Sequence, residues 1–117
     1  MLTALLFPIA SHHFDPPYPY EYNERNPGLV LEIDNDWLLG GYRNSLDRNT
    51  LLGLRRIPLA EAKGARLGLV AGVCSGYRIP FCAAGYLRLG DHVEVTYVPR
   101  FYKYNAHTLA ISWRQPL

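Results

Sequence analysis

The chain is 117 residues long, which suits one domain with a single hydrophobic core. Hydrophobic residues make up 49% and charged residues 19%, a balance typical of a globular fold rather than of a disordered segment. The formal net charge is only +2 and the basic residues are scattered along the chain. A nucleic-acid-binding surface requires clustered Lys and Arg, so the composition argues against nucleic acid as a partner.

Short apolar segments separated by turn residues predict a succession of β-strands. The predicted strands are Leu2–His13, Leu29–Asp34, Trp37–Ser45, Thr50–Leu59, Arg66–Ser75, Ile79–Leu89, His92–Pro99 and His107–Arg114. No segment keeps a helical period of apolar residues, and only Leu59–Lys63 could form a single helical turn. Antiparallel strands that close on themselves leave no exposed edge. The sequence therefore predicts an all-β protein, a small up-and-down barrel of about eight strands formed by one domain, residues 1–117.

The first ten residues, Met1–Ala10, are apolar but too few for a membrane helix, and no basic segment precedes them. We interpret them as the first strand of a protein that is not exported, and we expect a cytoplasmic location.

A dense polar segment, Tyr22–Asn26, lies in the long connection between the first two strands. Two further polar groups, Ser11–His13 and Tyr42–Ser45, end the first and third strands. Because these strands run in the same direction in an up-and-down barrel, their ends share one rim with the long connection. The candidate ligand-binding residues are Tyr22, Asn23, Glu24, Arg25, Asn26, Tyr42, Arg43 and Asn44. The same residues could instead be a hydrogen-bonded structural staple.

His13 and Ser45 are candidate catalytic residues at the same rim. An imidazole close to a hydroxyl can accept its proton near neutral pH, which permits nucleophilic or general-base chemistry. Such pairs arise often by chance in a small protein, so the residues alone favour binding over catalysis.

The two cysteines, Cys74 and Cys82, flank a loop and could face each other across a hairpin. Small secreted domains that depend on disulfides usually contain more cysteines, so two buried free thiols are the favoured interpretation and a disulfide is the alternative. No Cys/His spacing resembles a zinc site, and we expect neither a metal nor a cofactor.

Several motifs together resemble lipid A palmitoyltransferase, an eight-stranded outer-membrane barrel that moves a palmitoyl chain from phospholipid to lipid A. They are Leu6–Ile9 followed by His12-His13, Tyr22–Arg25, Tyr42–Ser45, Leu67–Leu69 with Ala71–Val73, Ile79-Pro80, and Val95–Pro99, in that order. The resemblance implies a barrel fold and aligns His13 and Ser45 with the catalytic histidine and serine. Asn44 takes the place of the family's acidic residue, and an amide cannot stabilise an imidazolium by its charge.

Other features depart from that family. The amphipathic N-terminal helix and an export signal are not evident, and the second, third and fourth strands look shorter than the ~9–11 residues of a membrane-spanning strand. Charged strand residues would also have to point inward or toward the membrane interfaces; they are Glu32, Arg55, Arg66 and Glu94. We therefore predict a shortened, soluble relative that has lost its chemistry. The chain is also similar to small phage and prophage proteins with an Asn-Glu-x-Asn-Pro-Gly-Leu and Tyr-x-Asn-Ser pattern.

The predicted function is that of a small non-catalytic, phage-encoded binding protein in the host cytoplasm. Its polar rim would bind a small polar ligand or a host protein, as an antagonist of host defence, with Arg25 and Arg43 holding phosphate or carboxylate. The alternative is an acyltransferase or hydrolase that uses His13 and Ser45. A third interpretation is structural, with function in homo-oligomerisation or in the surface around Tyr102 and Tyr104. No membrane partner is expected.

Arg43→Ala and Glu24→Ala are each expected to abolish ligand or partner binding while the thermal midpoint stays within a few degrees of the original. Mass spectrometry of the molecules that co-purify with each variant measures the binding, and thermal unfolding measures the midpoint. Loss of folding in either variant would instead identify the residue as part of a structural staple.

Overall fold

A computed structural model describes residues 1–14, 25–44, 48–76, 80–99 and 107–117. Its strands are β1 (Leu2–Phe14), β2 (Gly28–Ile33), β3 (Trp37–Arg43), β4 (Asn49–Ala62), β5 (Ala65–Cys74), β6 (Phe81–Leu89), β7 (Val93–Val98) and β8 (His107–Pro116). Each strand pairs antiparallel with its neighbours in the chain, and β1 pairs with β8 to close the barrel. The predicted all-β, up-and-down barrel of eight strands is therefore confirmed. The described residues include no helix long and apolar enough to cross a membrane.

The two ends of the barrel differ in their connections. Tight turns at residues 34–36, 63–64 and 90–92, together with both chain termini, lie at one end, which we call the turn end. Asp34 and Asn35 adopt left-handed φ values of 51° and 67° in the first of these turns, a conformation that Asp and Asn tolerate better than most residues. The longer connections β1–β2, β3–β4, β5–β6 and β7–β8 join the strands at the opposite end, which we call the loop end.

The interior of the barrel is filled by its own side chains. A buried core at mid-height contains Leu6, Val30, Leu38, Val70 and Tyr86. Gly68 makes room for the largest of these, since a Cβ at that position would lie 2.8 Å from Tyr86 Cε1. Eight strands enclose a lumen only wide enough for side chains to fill, which agrees with this packing.

The segment Leu59–Lys63, which could have formed a helical turn, contains none. The strand β4 continues to Ala62, which pairs with Ala65 of β5, and the chain turns only at residues 63–64. Beyond Arg55, the last β4 residue in the β3 ladder, β4 keeps its ladder with β5 but not with β3. Pro58 is tolerated there because an edge strand does not require every N–H as a donor. At 14 residues, β4 is also not the short strand that the sequence suggested.

The expectation of two free thiols is also wrong. Cys74 and Cys82 form a disulfide, with their Cα atoms 6.1 Å apart. Cys74 ends β5 and Cys82 lies near the start of β6, so the hairpin brings the two side chains together across adjacent strands. The low cysteine count suggested free thiols, whereas the strand register determines the pairing.

Replacing both Cys74 and Cys82 with Ala is expected to lower the free energy of unfolding by about 2–3 kcal/mol, because the disulfide restricts the unfolded chain. Urea unfolding of the oxidised protein and of the double variant measures the difference. Wild-type protein treated with a reductant should match the double variant. Equal stability of oxidised and reduced wild type, with thiols that react in the native protein, would contradict this disulfide.

Candidate functional site

Charged side chains from different strands meet inside the barrel at the turn end. We call this group the ionic cluster; its members are Glu32, Arg56, Arg88, Glu94 and Arg114. All of them are buried, and Glu32 is completely inaccessible to solvent. They come from β2, β4, β6, β7 and β8, so the closure of the barrel is what brings them together.

Glu32 is the centre of the ionic cluster. Its carboxylate accepts hydrogen bonds from Arg56 Nη1, from Arg88 Nη2 at 3.0 Å, and from Arg114 Nε and Nη2 at 3.1 and 2.8 Å. The Thr3 hydroxyl donates to the same carboxylate at 2.9 Å. Hydrogen bonds between charged groups are short and strong, and this number of donors satisfies a buried carboxylate. Removing Glu32 would leave three guanidinium groups without this shared acceptor.

Arg56 connects the two carboxylates of the cluster. Its Nη2 donates to both oxygens of Glu94, at 2.7 and 2.8 Å, while its Nη1 donates to Glu32. The guanidinium carbon of Arg56 also lies 5.4 Å from the centre of the Tyr86 ring, in cation–π contact. Arg56 therefore joins the charged layer to the apolar core.

The sequence analysis did not predict that the five residues of the ionic cluster meet inside the barrel. Arg55 and Arg56 are adjacent on β4, so one of the two side chains must point outward. Arg55 does point outward, but Arg56 points into the lumen and is buried. The available signal was alternation, because Glu32, Arg56 and Glu94 each occupy the opposite face from their apolar strand neighbours.

At the loop end, Asn26 ties the β1–β2 connection to the barrel. Its Oδ1 accepts a hydrogen bond from Ser11 Oγ at 2.6 Å, and its Nδ2 donates to the Arg43 carbonyl at 3.0 Å. Its backbone N–H donates to the Ile9 carbonyl at 2.9 Å. Asn26 is buried, so these bonds connect β1, the end of the connection and β3.

Asn44 performs the same role for the next two connections. Its Nδ2 donates to Thr50 Oγ1 at 3.0 Å and to the Gly76 carbonyl at 3.1 Å, and its Oδ1 accepts from the Arg48 N–H at 3.0 Å. The Asn44 side chain is completely buried. It therefore links the β3–β4 connection, the start of β4 and the β5–β6 connection.

The remaining candidate residues are placed only in part. Tyr22, Asn23, Glu24 and Ser45 lie outside the described residues, so the pairing of His13 with Ser45 stays a prediction. His13 lies on β1 opposite Thr108 of β8, Tyr42 is half-buried on β3, and Arg25 is exposed beside β1. Arg43 donates from Nη1 to Asn49 Oδ1 at 3.2 Å. The ligand-binding assignments also stay predictions, although Asn26 and Asn44 have the geometry of a structural staple.

The outer surface of the barrel is apolar on every strand. We call this surface the apolar belt; its large members are Leu2, Phe7, Ile9, Phe14, Leu29, Trp37, Leu39, Leu51, Ile57, Leu59, Leu67, Leu69, Val73, Phe81, Leu89, Tyr97, Leu109, Ile111 and Trp113. Each is between 39% and 73% exposed. Both tryptophans lie on the outside of the barrel and contact polar groups near the turn end. Arg55 lies 5.2 Å from the centre of the Trp37 ring, and His92 stacks on Trp113.

Comparison of the chain with protein-family models and with curated proteins finds no match. The resemblance to lipid A palmitoyltransferase and to phage proteins therefore stays a prediction, beside a fold that is established. Among the described residues, no group of three or more His, Cys, Asp or Glu is placed to hold a metal ion.

Asn44→Ala is expected to lower the free energy of unfolding by about 2–3 kcal/mol, because it removes two donated hydrogen bonds and leaves the buried Thr50 hydroxyl short of a partner. Asn49→Ala is the matched control, since Asn49 is exposed and its loss should cost at most about 0.5 kcal/mol. Urea unfolding compares the two variants. Equal, small effects would show that Asn44 does not brace the loop end.

Proposed function

We propose that the protein is a small β-barrel membrane protein with a sealed lumen, which displays its loop end as a binding surface. The observation that carries this proposal is the inverted distribution of side chains. The ionic cluster lies inside the barrel, and the apolar belt surrounds it on all eight strands.

A lipid bilayer is the occupant that suits the apolar belt. Soluble monomers rarely expose a contiguous apolar patch larger than a few hundred Å². Because the apolar belt extends around the barrel, a protein partner on one side would leave the other sides in water. A lipid bilayer covers the full circumference at once, and apolar surface left in water costs about 25 cal/mol per Å².

The charged strand residues meet the requirement of a membrane barrel. Glu32 and Glu94 point into the lumen and are neutralised by arginines. Arg66 lies 3.4 Å from Glu61 near the turn end. Arg55 points outward, but its guanidinium lies over Trp37 near the turn end, an arrangement typical of side chains that reach for the membrane interface.

The two ends of the barrel also suit a membrane. Bacterial membrane barrels have short turns at one end and longer connections at the other, as found here. The longest dimension of the protein is 39 Å, close to the ~40–45 Å of a bilayer with its headgroups. The strands β2, β3 and β7 contain only 6, 7 and 6 residues, and such short strands predict local thinning of the bilayer beside them.

The disulfide between Cys74 and Cys82 supports a location outside the cytoplasm, because disulfides persist in oxidising compartments. The cytoplasmic location expected from the sequence remains the competing prediction. In that case the apolar belt would have to be covered by other copies or by another protein.

A sealed barrel favours binding over conduction. The ionic cluster blocks the turn end, and the apolar core fills the middle. At the loop end, Asn26 and Asn44 fix the described ends of the connections β1–β2, β3–β4 and β5–β6 to the strands by hydrogen bonds. There we propose that the protein binds a small polar ligand or another protein, as the arginines Arg25 and Arg43 would favour.

Arginine substitutions at two outward leucines of similar exposure distinguish a bilayer from water. Leu39, 53% exposed, lies in the middle of the apolar belt, whereas Leu89, 47% exposed, ends β6 at the turn end. In phosphatidylcholine vesicles, Leu39→Arg is expected to lower the free energy of unfolding by about 2–4 kcal/mol and Leu89→Arg by about 0–1 kcal/mol, because an arginine in the middle of the bilayer is more costly than one at the interface. Urea-dependent folding into vesicles, followed by tryptophan fluorescence, measures both values.

Brominated lipids provide the direct readout, because the only two tryptophans of the chain, Trp37 and Trp113, lie on the outer surface. Both are expected to be quenched in brominated vesicles. A protein that remains monomeric in buffer without detergent, with equal effects of the two arginine substitutions, would refute the membrane proposal.

A further inference from the structure

We propose that the ionic cluster holds one small monovalent anion of the chloride type, beside Arg88 and Tyr86. This site lies inside the barrel, away from the loop end, and the inference does not depend on whether the apolar belt faces lipid.

The first argument is the balance of charge in the ionic cluster. Its three guanidinium groups belong to Arg56, Arg88 and Arg114, and its two carboxylates belong to Glu32 and Glu94, so one positive charge is in excess. Among the described residues, no other carboxylate forms an ion pair with these three guanidinium groups. Asp34 pairs with the N-terminal amine, Glu61 lies beside Arg66, and Asp91 is exposed in its turn. A buried charge without a counter-charge is costly, and a bound monoanion would neutralise it.

The second argument locates the excess charge at Arg88. Its Nη2 donates to Glu32 at 3.0 Å, but its Nε is buried and has no hydrogen-bond partner among the described residues. Glu94 Oε1 lies 3.9 Å from that nitrogen, beyond hydrogen-bond distance. Arg114, by contrast, donates from Nε and Nη2 to Glu32 and from Nη1 to the Asp91 carbonyl.

Tyr86 provides a second buried donor, where the apolar core meets the ionic cluster. Tyr86 is only 2% exposed, and within the described part of the chain its hydroxyl has no hydrogen-bond partner. Tyr86 and Arg88 lie two residues apart on β6, so both side chains enter the lumen from the same face of the strand. The Tyr86 ring is also in contact with Arg56, which keeps it against the ionic cluster.

These features select the chemical class of the ligand. The Tyr86 hydroxyl and the Arg88 Nε–H each have an unused hydrogen, and the ionic cluster carries one excess positive charge. A hydrogen-bond acceptor with a single negative charge suits this combination. A water molecule could accept both hydrogen bonds but would leave the charge in place. A divalent oxyanion would overcompensate it, and the packed core beside Tyr86 favours a spherical halide over a larger anion.

The test measures the thermal midpoint of the purified full-length protein as sodium chloride replaces sodium gluconate at constant ionic strength. Because a ligand that binds only the native state stabilises it, the midpoint is expected to rise by several degrees as chloride increases. Crystals soaked in sodium bromide should show an anomalous peak beside Arg88 Nε and Tyr86 Oη.

Two variants and one control assign the effect to this site. Tyr86→Phe removes only the hydroxyl and should weaken chloride binding roughly tenfold, as expected for one lost hydrogen bond to a charged group. Arg88→Leu removes the excess charge and should abolish the chloride dependence. Arg66→Gln removes a nearby but partly exposed arginine and should retain the full dependence. If Arg88→Leu does not fold, Tyr86→Phe decides the outcome.

A thermal midpoint that does not depend on chloride would overturn the inference. The same chloride dependence of the midpoint in Tyr86→Phe as in wild type would also overturn it, as would crystals without bromide at this site. The membrane proposal is tested by different residues, Leu39 and Leu89, so failure of either idea leaves the other measurable. The chloride dependence of the thermal midpoint can be measured in detergent micelles or in plain buffer, provided that the protein remains monodisperse.

Discussion

Closure of the sheet is the constraint on which the other features depend. In the closed barrel each strand pairs with a neighbour on both sides, so no strand is a sheet edge along its whole length. Closure also separates each strand into a face that points into a narrow lumen and a face that points away from it. Polar groups that enter the lumen must then find partners there, and apolar groups on the other face must find them outside the protein.

The side chains inside the lumen are arranged in three layers. Arginines surround Glu32 at the turn end, apolar side chains pack at mid-height, and the amides of Asn26 and Asn44 are buried near the loop end. A buried ion pair stabilises a protein only when its geometry is complete, because desolvation of both charges opposes their attraction. The pairing of charged groups in the ionic cluster is nearly complete. Arg88 is the exception, because its Nε has no hydrogen-bond partner among the described residues. The excess charge and the unused donors therefore occur at the same place.

The outer surface and the two ends of the barrel differ in polarity. An outer face made of leucine, valine and aromatic side chains has no favourable partner in water, whereas the ends carry the charged turns and the longer connections. A bilayer around the middle and solvent at both ends would match this division. In that arrangement the loop end is the surface available for recognition. Its connections are held there by Asn26, by Asn44 and by the disulfide between Cys74 and Cys82.

The sequence alone determined the number, order and approximate bounds of the strands, because alternation and turn residues are local signals. It also identified Asn26 and Asn44 as special polar residues, but not whether they serve a ligand or the fold. Only the tertiary structure decided which face of each strand is inside, since a strand pattern is unchanged when its two faces are exchanged. For the same reason the meeting of Glu32 with Arg56, Arg88 and Arg114, and the pairing of Cys74 with Cys82, depend on strand register and closure rather than on spacing along the chain.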